Sequence, residues 1–317
     1  MSSVTQPLAP GAEPVQVSRR TRAAALAHDY SELVKARVTT LIIMTTWCGY
    51  YFGALKVGVP TVSWTLLNAL LGVGIVAGGT AAMNEVMERD LDALMRRTSR
   101  RPLVTGSMSV WHATTASLLM ILGGSAYLAA TTNWLTAALT FATSAVYLLA
   151  YTPLKKVAPI CTFIGAFPGA MPPVLGWTAI RGRLDAEALV LFAILFFWQF
   201  PHFHSIALLY REDYERANIR MLPVVEPDGR STARSILLYS SALIPATLAP
   251  TLLGMAGKTY FVGALVLGLA VFYFSLRIWR SKLSPARPQS KMMARQLLQA
   301  TVFYLPLLFA LMMINGK

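Results

Sequence analysis

The stretch that decides the fold is 66-LLNALLGVGIVAGGTAAMNEVMERDLDALMRRTSRRP-102. It begins with a run of about 17 largely apolar residues and ends in an acidic segment that is followed at once by arginines. An apolar run of this length that continues into charged residues is typical of a helix that crosses a membrane and emerges at its surface.

The acidic segment has a four-residue spacing. If it is helical, Asn84, Glu88 and Asp92 lie on one face, about 6 Å apart in steps of four residues. Glu85 lies beside this row, and Asp90 points roughly the other way. Such a row of oxygen ligands suits Mg²⁺, which usually takes one or two carboxylates and keeps other positions for water and phosphate oxygens.

The arginines after the row, among them Arg97 and Arg101, could hold the remaining charge of a diphosphate. In a soluble protein, a solvated and salt-bridged helix end would explain the same residues. At a membrane surface Lys and Arg are common, whereas stacked acids are not. We therefore favour a metal and diphosphate site at a solvent-facing helix end.

Composition indicates a membrane protein. Of 317 residues, 55% are hydrophobic and only 13% are charged, which is too apolar for a soluble domain of this length. Apolar runs near 20 residues predict an all-α, polytopic integral membrane protein with nine transmembrane helices in one bundle. We predict the spans at 38–55, 64–84, 110–130, 134–151, 160–180, 187–209, 234–254, 259–276 and 296–315.

The basic residues predict the orientation. With a cytoplasmic N-terminus, 23 of the 28 Lys and Arg residues fall on the cytoplasmic side of these nine spans. By the positive-inside rule we expect the N-terminus in the cytoplasm and the C-terminus outside. The net charge of +14 then requires no nucleic acid, and it favours contact with anionic membrane lipid.

The chain outside the spans is short. Residues 1–30 contain Pro, Ser and Gln but no apolar core of a signal peptide, so we expect a disordered cytoplasmic tail before a membrane domain at 31–317. Lys35 and Arg37, which precede the first span, are interpreted as anchors at the membrane interface. Cys48 and Cys161 fall in predicted spans and are expected to be packing residues, not a disulfide.

Two later spans carry further signals. Pro168, Pro172 and Pro173 predict a kinked or interrupted fifth span. In the sixth span, Gln199 and His202 stand three residues apart, which places both on one face and directs them to a partner or cavity.

A second acidic cluster follows the sixth span. Seven of the 14 acidic residues lie in the segments 85–92 and 212–215, each where an even-numbered span ends on the cytoplasmic side. The two segments are four spans apart. This spacing predicts a pseudo-repeat of four helices with both acidic ends facing one site.

Taken together, these residues resemble the intramembrane prenyltransferase superfamily and, within it, the family of protoheme IX farnesyltransferases, or heme O synthases. The resemblance covers about residues 33–310, and the Trp-Gln-x-Pro-His segment is specific to the heme branch. The segments that carry it are Asn84 to Pro102, Tyr151-Thr152-Pro153-Leu154-Lys155, Gly165 to Trp177, Trp198-Gln199-Phe200-Pro201-His202-Phe203, and Asp213 to Pro223.

The resemblance implies farnesyl transfer from farnesyl diphosphate to a vinyl group of heme B. The products would be diphosphate and heme O, for heme A and terminal oxidase biosynthesis. It implies Mg²⁺ as cofactor, with heme B as substrate only. The catalytic residues and metal ligands would be Asn84, Glu88, Asp92 and Asp213, and the substrate-binding residues Arg97, Arg101, Lys155, Tyr151, Trp198 and His202.

The family's chemistry suggests roles for aromatic and imidazole groups. Tyr151, Trp177 and Trp198 are candidates to stabilise an allylic carbocation by cation–π attraction, with packing between helices as the alternative. Imidazole is a common axial ligand of heme iron, so we expect His202 to hold heme, while His204 points elsewhere. His202 could instead be a packing residue, with the heme propionates held by Arg or Lys.

The resemblance further implies a multi-pass protein of the bacterial cytoplasmic (inner) membrane with its active site on the cytoplasmic side. The expected partners are farnesyl diphosphate, heme B and membrane lipid. It leaves open whether the product is handed to a heme-modifying enzyme or to terminal oxidase assembly.

The chain departs from the superfamily pattern in both acidic motifs. Glu88 stands where Asp is common, which keeps an oxygen ligand. The second motif usually has two Asp residues four apart, but Ala217 stands four residues after Asp213. Glu212 or Glu215 could complete that site.

Two other functions are compatible with parts of the pattern. An aromatic prenyltransferase acting on quinone precursors would share the acidic motifs, but the segment around His202 argues against it. A secondary transporter would also have many helices with Gly and Pro breaks. Transporters normally place ionisable groups near the bilayer midplane, whereas the acids here lie at one face.

Overall fold

The computed structural model describes residues 19–226, 228–282 and 284–317. In these ranges the chain is all-α, and its one β-type pairing is an isolated bridge between Ala256 and Gly316. The helices are α1 (Arg19–Leu33), α2 (Ala36–Val57), α3 (Trp64–Leu94), α4 (Pro102–Thr105), α5 (Val110–Thr131), α6 (Trp134–Ala145), α7 (Thr152–Leu154), α8 (Cys161–Ala170), α9 (Pro172–Arg181), α10 (Ala186–Leu209), α11 (Arg211–Arg216), α12 (Leu222–Val225), α13 (Arg230–Leu252), α14 (Lys258–Ser281) and α15 (Pro288–Ile314).

Nine helical segments in the described residues are long and apolar enough to cross a membrane, which confirms the predicted number. Seven are single helices: α2, α3, α5, α10, α13, α14 and α15. The fourth runs from α6 through a π-helical turn at Val146–Tyr151 into α7, and the fifth consists of α8 and α9. The break between α8 and α9 falls at Pro172, so the predicted interruption of the fifth span is also confirmed.

The N-terminal region differs from the prediction. Residues 1–18 lie outside the described residues, but Arg19–Leu33 forms a helix where we expected disorder up to residue 30. Alanines with high helix propensity account for the helix itself. Leu33 is buried against Ala82 of α3 and Leu103 of α4, so tertiary packing holds α1 on the bundle.

Close backbone contact joins α2 to α9. Gly49 lies against the backbone of Pro173, and Gly176 lies against the carbonyl oxygen of Thr46. A Cβ atom at either glycine would overlap these backbone atoms, so only glycine permits this approach. Cys48 is buried beside this contact, and both it and Cys161 are free thiols, as predicted.

The remaining spanning helices pack in sequence around the bundle. α3 packs on α5, α10 packs on α13 and α15, and α14 packs on both α13 and α15. The C-terminal ends of α3 and α10 lie at the same end of the bundle, which we call the acidic end.

Candidate active site at the acidic end

One face of α3 carries the polar row that the sequence predicted. Asn84 and Glu85 are fully buried, Asp92 is 1% exposed and Glu88 is 7% exposed. The Asp90 side chain is 88% exposed and binds only its neighbour Arg89. Asp90 does not share the four-residue spacing, and its carboxylate therefore points away from the buried row. We expected this row to face solvent. It is buried instead, because residues from elsewhere in the chain cover it.

Asn84, Glu88 and Asp92 are each paired with a different cation. Lys35 donates to Asn84 Oδ1 at 2.7 Å. Lys155 donates to Glu88 Oε1 at 2.7 Å, and Arg101 donates to Asp92 Oδ2 at 2.5 Å. Three cations from three separate segments thus converge on one helix face. Such an arrangement provides both the oxygen atoms that bind a metal ion and the donors that bind phosphate oxygens.

Lys35 is a site residue that the sequence interpretation missed, because a lysine before a span is usually an interface anchor. It adopts the left-handed conformation (φ 47°, ψ 56°) at the junction of α1 and α2, which turns its side chain towards Asn84. Burial is the largest of the effects that lower the pKa of Lys35 to about 8, and the charges of Arg101 and Lys155 contribute to the same shift.

The π-helical turn positions a second partner for Asn84. Asn84 Nδ2 donates to Thr152 Oγ1 at 3.1 Å, and the Thr152 hydroxyl donates to the Tyr147 carbonyl at 2.9 Å. π-helical turns occur frequently at functional sites because they alter which side chains share a face. Here the turn lies directly before Thr152 and Lys155, both of which reach the α3 row.

Lys155 also contacts Tyr151, a predicted site residue. The ammonium group lies 4.6 Å from the centre of the tyrosine ring. Burial alone would lower the pKa of Lys155, but Tyr151 and Glu88 outweigh burial, so its pKa lies above the usual value for lysine. The face of the Tyr151 ring is therefore close to the carboxylate row and already interacts with a cation.

Glu85 is the one residue of the row whose charge is poorly compensated. Neither carboxylate oxygen has a hydrogen-bond partner in the described residues, and the nearest cation is Arg101 at 3.9 Å. Burial of an unpaired carboxylate is costly. The row therefore has spare oxygen ligands for a cation, and the set of carboxylate and amide oxygens fits Mg²⁺.

The second acidic segment lies against the end of α3, as predicted. Asp213 of α11 is paired with Arg216, and Arg216 Nε donates to the Leu94 carbonyl at 3.4 Å. Arg97 donates to the Tyr214 hydroxyl at 3.2 Å and lies over its ring. The two acidic ends are thus joined by arginines.

The two neighbouring acids do not face the row. Glu212 is paired with Lys291, and Glu215 is paired with Arg211. Their side chains are 67% and 56% exposed. Neither replaces the missing carboxylate four residues after Asp213.

The acids do not form a preassembled metal cage. Among the residues that the structure describes, no three His, Cys, Asp or Glu side chains come close enough to hold one metal ion. Asp213 contacts Arg216 instead of the α3 row. A metal ion bound by both segments would have to replace Arg216 at Asp213 and the basic side chains that now bind the α3 acids.

The polar residues of α10 point to three different helices. Gln199 donates to the Ala166 carbonyl in α8 at 3.0 Å, and His202 Nδ1 is bonded to Thr301 Oγ1 in α15 at 3.0 Å. Each of these two side chains therefore faces a partner, as predicted, but the partners lie in different helices. Residues three apart differ by about 60°, and α10 is surrounded by other helices, so this angle separates two neighbours. His204 contacts Ser235 in α13, so its separation from His202 is confirmed.

Trp198 and Trp177 also lie away from the carboxylates. Trp198 stacks on His202, with ring centres 4.6 Å apart, and donates to the Thr301 carbonyl at 2.8 Å. Trp177 is fully buried and donates to Asp185, at the end of α10 opposite the acidic end. Trp177 is therefore not a wall of this site.

Comparison with known proteins places the chain among membrane prenyltransferases. Residues 42–312 match the UbiA prenyltransferase family. A Koribacter versatilis protein named protoheme IX farnesyltransferase is 66% identical over 315 residues, with 99% of both chains covered. A Solibacter usitatus protein of the same name is 46% identical and covers 90% of this chain and 98% of its own.

Solved structures share the fold at low sequence identity. One, described as digeranylgeranylglyceryl phosphate synthase, has a TM-score of 0.75 and 14% identity, covering 91% of this chain and 98% of its own. A UbiA homolog from Archaeoglobus fulgidus bound to GPP and Mg²⁺ has a TM-score of 0.65 and 18% identity, covering 90% and 99%. The resemblance that the motifs indicated is confirmed, and the chain belongs to the UbiA prenyltransferase family.

Proposed function

We propose that this protein transfers the farnesyl group of farnesyl diphosphate to a vinyl group of heme B while a water molecule supplies a hydroxyl group to the other vinyl carbon, with heme O and diphosphate as products. The observation that carries the proposal is the buried row on α3, in which each of three oxygen-bearing side chains is paired with its own cation. The names of the two relatives described above support farnesyl diphosphate and heme B as the substrates.

The diphosphate would bind to the cations. Lys35, Lys155 and Arg101 now donate to oxygen atoms of the row, and the same donors can turn to phosphate oxygens. Arg97, held over Tyr214, lines a pocket together with Arg101. These residues would orient the diphosphate and stabilise the negative charge that develops as it leaves.

Magnesium would be held by Asn84, Glu88 and Asp92, with Asp213 contributing from the second segment. When bound, it neutralises charge on the leaving diphosphate. The unpaired oxygens of Glu85 and the hard-oxygen character of the row support this choice of metal. The Archaeoglobus homolog bound to GPP and Mg²⁺ has the same fold, which is consistent with it.

The allylic cation requires an environment that is poor in water and rich in electrons. Tyr151 fits this role best, because its ring already binds the Lys155 ammonium group beside Glu88. The burial of the row keeps bulk water from the reacting carbon, which limits premature hydrolysis of the cation.

Heme would bind on the α15 side of α10. The Nδ1 atom of His202 is bonded to Thr301, which leaves Nε2 without a partner in the described ranges. Trp198 stacks on the imidazole and fixes its plane. We therefore keep His202 as the heme ligand, with Nε2 as the coordinating atom and Thr301 as its orienting partner.

The protein would act in the bacterial cytoplasmic membrane, with the acidic end in the cytoplasm. The distribution of 23 of 28 basic residues on that side supports this orientation.

The direct test is to extract hemes from bacterial membranes that lack any other heme farnesyltransferase, with and without this protein. A heme enlarged by one farnesyl group and one hydroxyl group should appear only when the protein is present. Unmodified heme B in both membranes, at equal protein expression, would contradict the proposal.

A further inference from the structure

A separate cavity of about 470 Å³ lies at the acidic end of the bundle, away from the α3 row. It is enclosed by the end of α10, the beginning of α13, and the connection from α14 to α15. None of the residues proposed to bind metal or diphosphate lines it. The proposed reaction therefore does not explain this cavity.

The polar rim of the cavity is strongly basic. Among the described residues its charged lining consists of Arg230, Arg234, Lys282 and Asp228. Asp228 forms an ion pair with Arg230, with 3.2 Å between Oδ2 of the aspartate and Nε of the arginine. Arg234 and Lys282 have no hydrogen-bond or ion-pair partner within the described ranges. The rim therefore keeps two uncompensated positive charges.

The rest of the lining is apolar. Leu208, Ile278, Trp279 and Met293 supply it, and Trp279 is 47% exposed. Tryptophan is enriched at the depth of lipid headgroups, where one side of the ring is apolar and the other is wet. A basic rim above an apolar wall that carries an exposed tryptophan matches an amphiphile with an anionic head.

The backbone at Lys282 also favours a binding role. Lys282 caps the C-terminus of α14 in the left-handed conformation, with φ 49° and ψ 25°. Glycine usually occupies such a position because a Cβ atom is disfavoured there. A lysine at this position accepts some strain and places its charge on the rim of the cavity.

We propose that this cavity binds the headgroup of an anionic phospholipid. Arg234 and Lys282 would contact the phosphate, and the first methylene groups of the acyl chains would lie against Ile278 and Met293. Basic pockets between membrane helices are a common form of anionic-lipid site. This inference goes beyond the proposed reaction, because it requires neither farnesyl transfer nor a metal ion.

The test compares lipid binding by the purified wild-type protein and three double variants in neutral detergent. R234Q/K282Q removes the unpaired charges of the rim. R280Q/R287Q removes two exposed charges that flank the α14–α15 connection, in the last turn of α14 and directly before α15, and neither residue lines the cavity. Binding of phosphatidylglycerol and of phosphatidylcholine is measured by native mass spectrometry, and the melting temperature is recorded with each lipid.

We expect wild type and R280Q/R287Q to bind phosphatidylglycerol more tightly than phosphatidylcholine and to melt higher in its presence. Each basic residue near a membrane surface contributes on the order of a fivefold preference for anionic lipid, so R234Q/K282Q should bind phosphatidylglycerol about 25-fold more weakly. A charge-retaining variant, R234K/K282R, should bind like wild type, which separates lost charge from damaged folding.

Equal binding of phosphatidylglycerol by R234Q/K282Q and R280Q/R287Q would overturn the proposal. Two further measurements would identify a different ligand of the cavity. Stabilisation by inorganic phosphate alone that disappears in R234Q/K282Q would make the cavity a simple anion site. Loss of heme B binding, with lipid binding unchanged, would assign the cavity to heme propionates.

Discussion

The ammonium nitrogen of Lys155 lies 2.7 Å from Oε1 of Glu88, and both side chains are buried. The pair connects two motifs that are 67 residues apart in the sequence. A buried ion pair contributes little net stability, but the loss of one partner leaves an uncompensated charge. The pair therefore keeps a proposed metal ligand and a proposed phosphate donor side by side within the bundle.

This pair predicts a specific pattern of stability. Glu88→Gln and Lys155→Gln should each lower the free energy of unfolding by on the order of 3 kcal/mol, because each leaves a buried charge alone. The double variant E88Q/K155Q should recover most of that loss while remaining inactive. Detergent melting curves of the four proteins provide the measurement. Additive losses in the double variant would mean that the two residues do not act as a pair.

Substitutions along α3 test the carboxylate row. We expect Asp92→Asn to reduce turnover about 100-fold or more, because it removes a charge that offsets the leaving diphosphate. Asp90→Asn is the matched control, since Asp90 lies on the same helix and is exposed. It should retain wild-type turnover. Equal activity of the two variants, each checked for folding, would remove Asp92 from the site.

How far the sequence predicted this site can be judged from three residues. The positions of Glu88 and Asp92 on one helix face followed from their spacing, because helix geometry alone determines it. Their burial did not follow, because it depends on residues from elsewhere in the chain. Lys35 was missed, because its role depends on a left-handed turn and on a partner 49 residues away. Contacts of this kind arise from tertiary packing, which no local pattern reports.

The transmembrane spans followed from a local pattern, whereas the helix in the N-terminal region depends on tertiary packing. The nine spans were predictable because each must bury an apolar length that matches the bilayer. The helix Arg19–Leu33 was not predicted, because its stability depends on contacts of Leu33 with α3 and α4. The angular offset of Gln199 from His202 was known, but the helices that would pack against α10 were not.

Topology can be measured with two reporters. Only α15 separates the loop around Pro285 from Lys317. A reporter inserted near Pro285 should read as cytoplasmic, and one fused after Lys317 should read as non-cytoplasmic. Matching readings would contradict the nine-span orientation, whereas exchanged readings would keep the span count and place the acidic end outside.

Heme binding can be assigned to one of two histidines on α10. Titration of heme B into His202→Ala should give a changed Soret band and weaker binding, because the free Nε2 atom is lost. His204→Ala is the control, since His204 is buried against Ser235 in α13. An unchanged spectrum and affinity in His202→Ala would leave His202 as a packing residue.

The central claim is tested most directly by the choice of acceptor. Purified protein in lipid nanodiscs is given labelled farnesyl diphosphate, Mg²⁺, heme B and an aromatic quinone precursor in one reaction. We predict that label enters the heme fraction and that the quinone precursor stays unlabelled. The Asp92→Asn substitution should abolish the transfer. Label in the quinone precursor with none in heme would contradict the proposed function and identify the protein as an aromatic prenyltransferase.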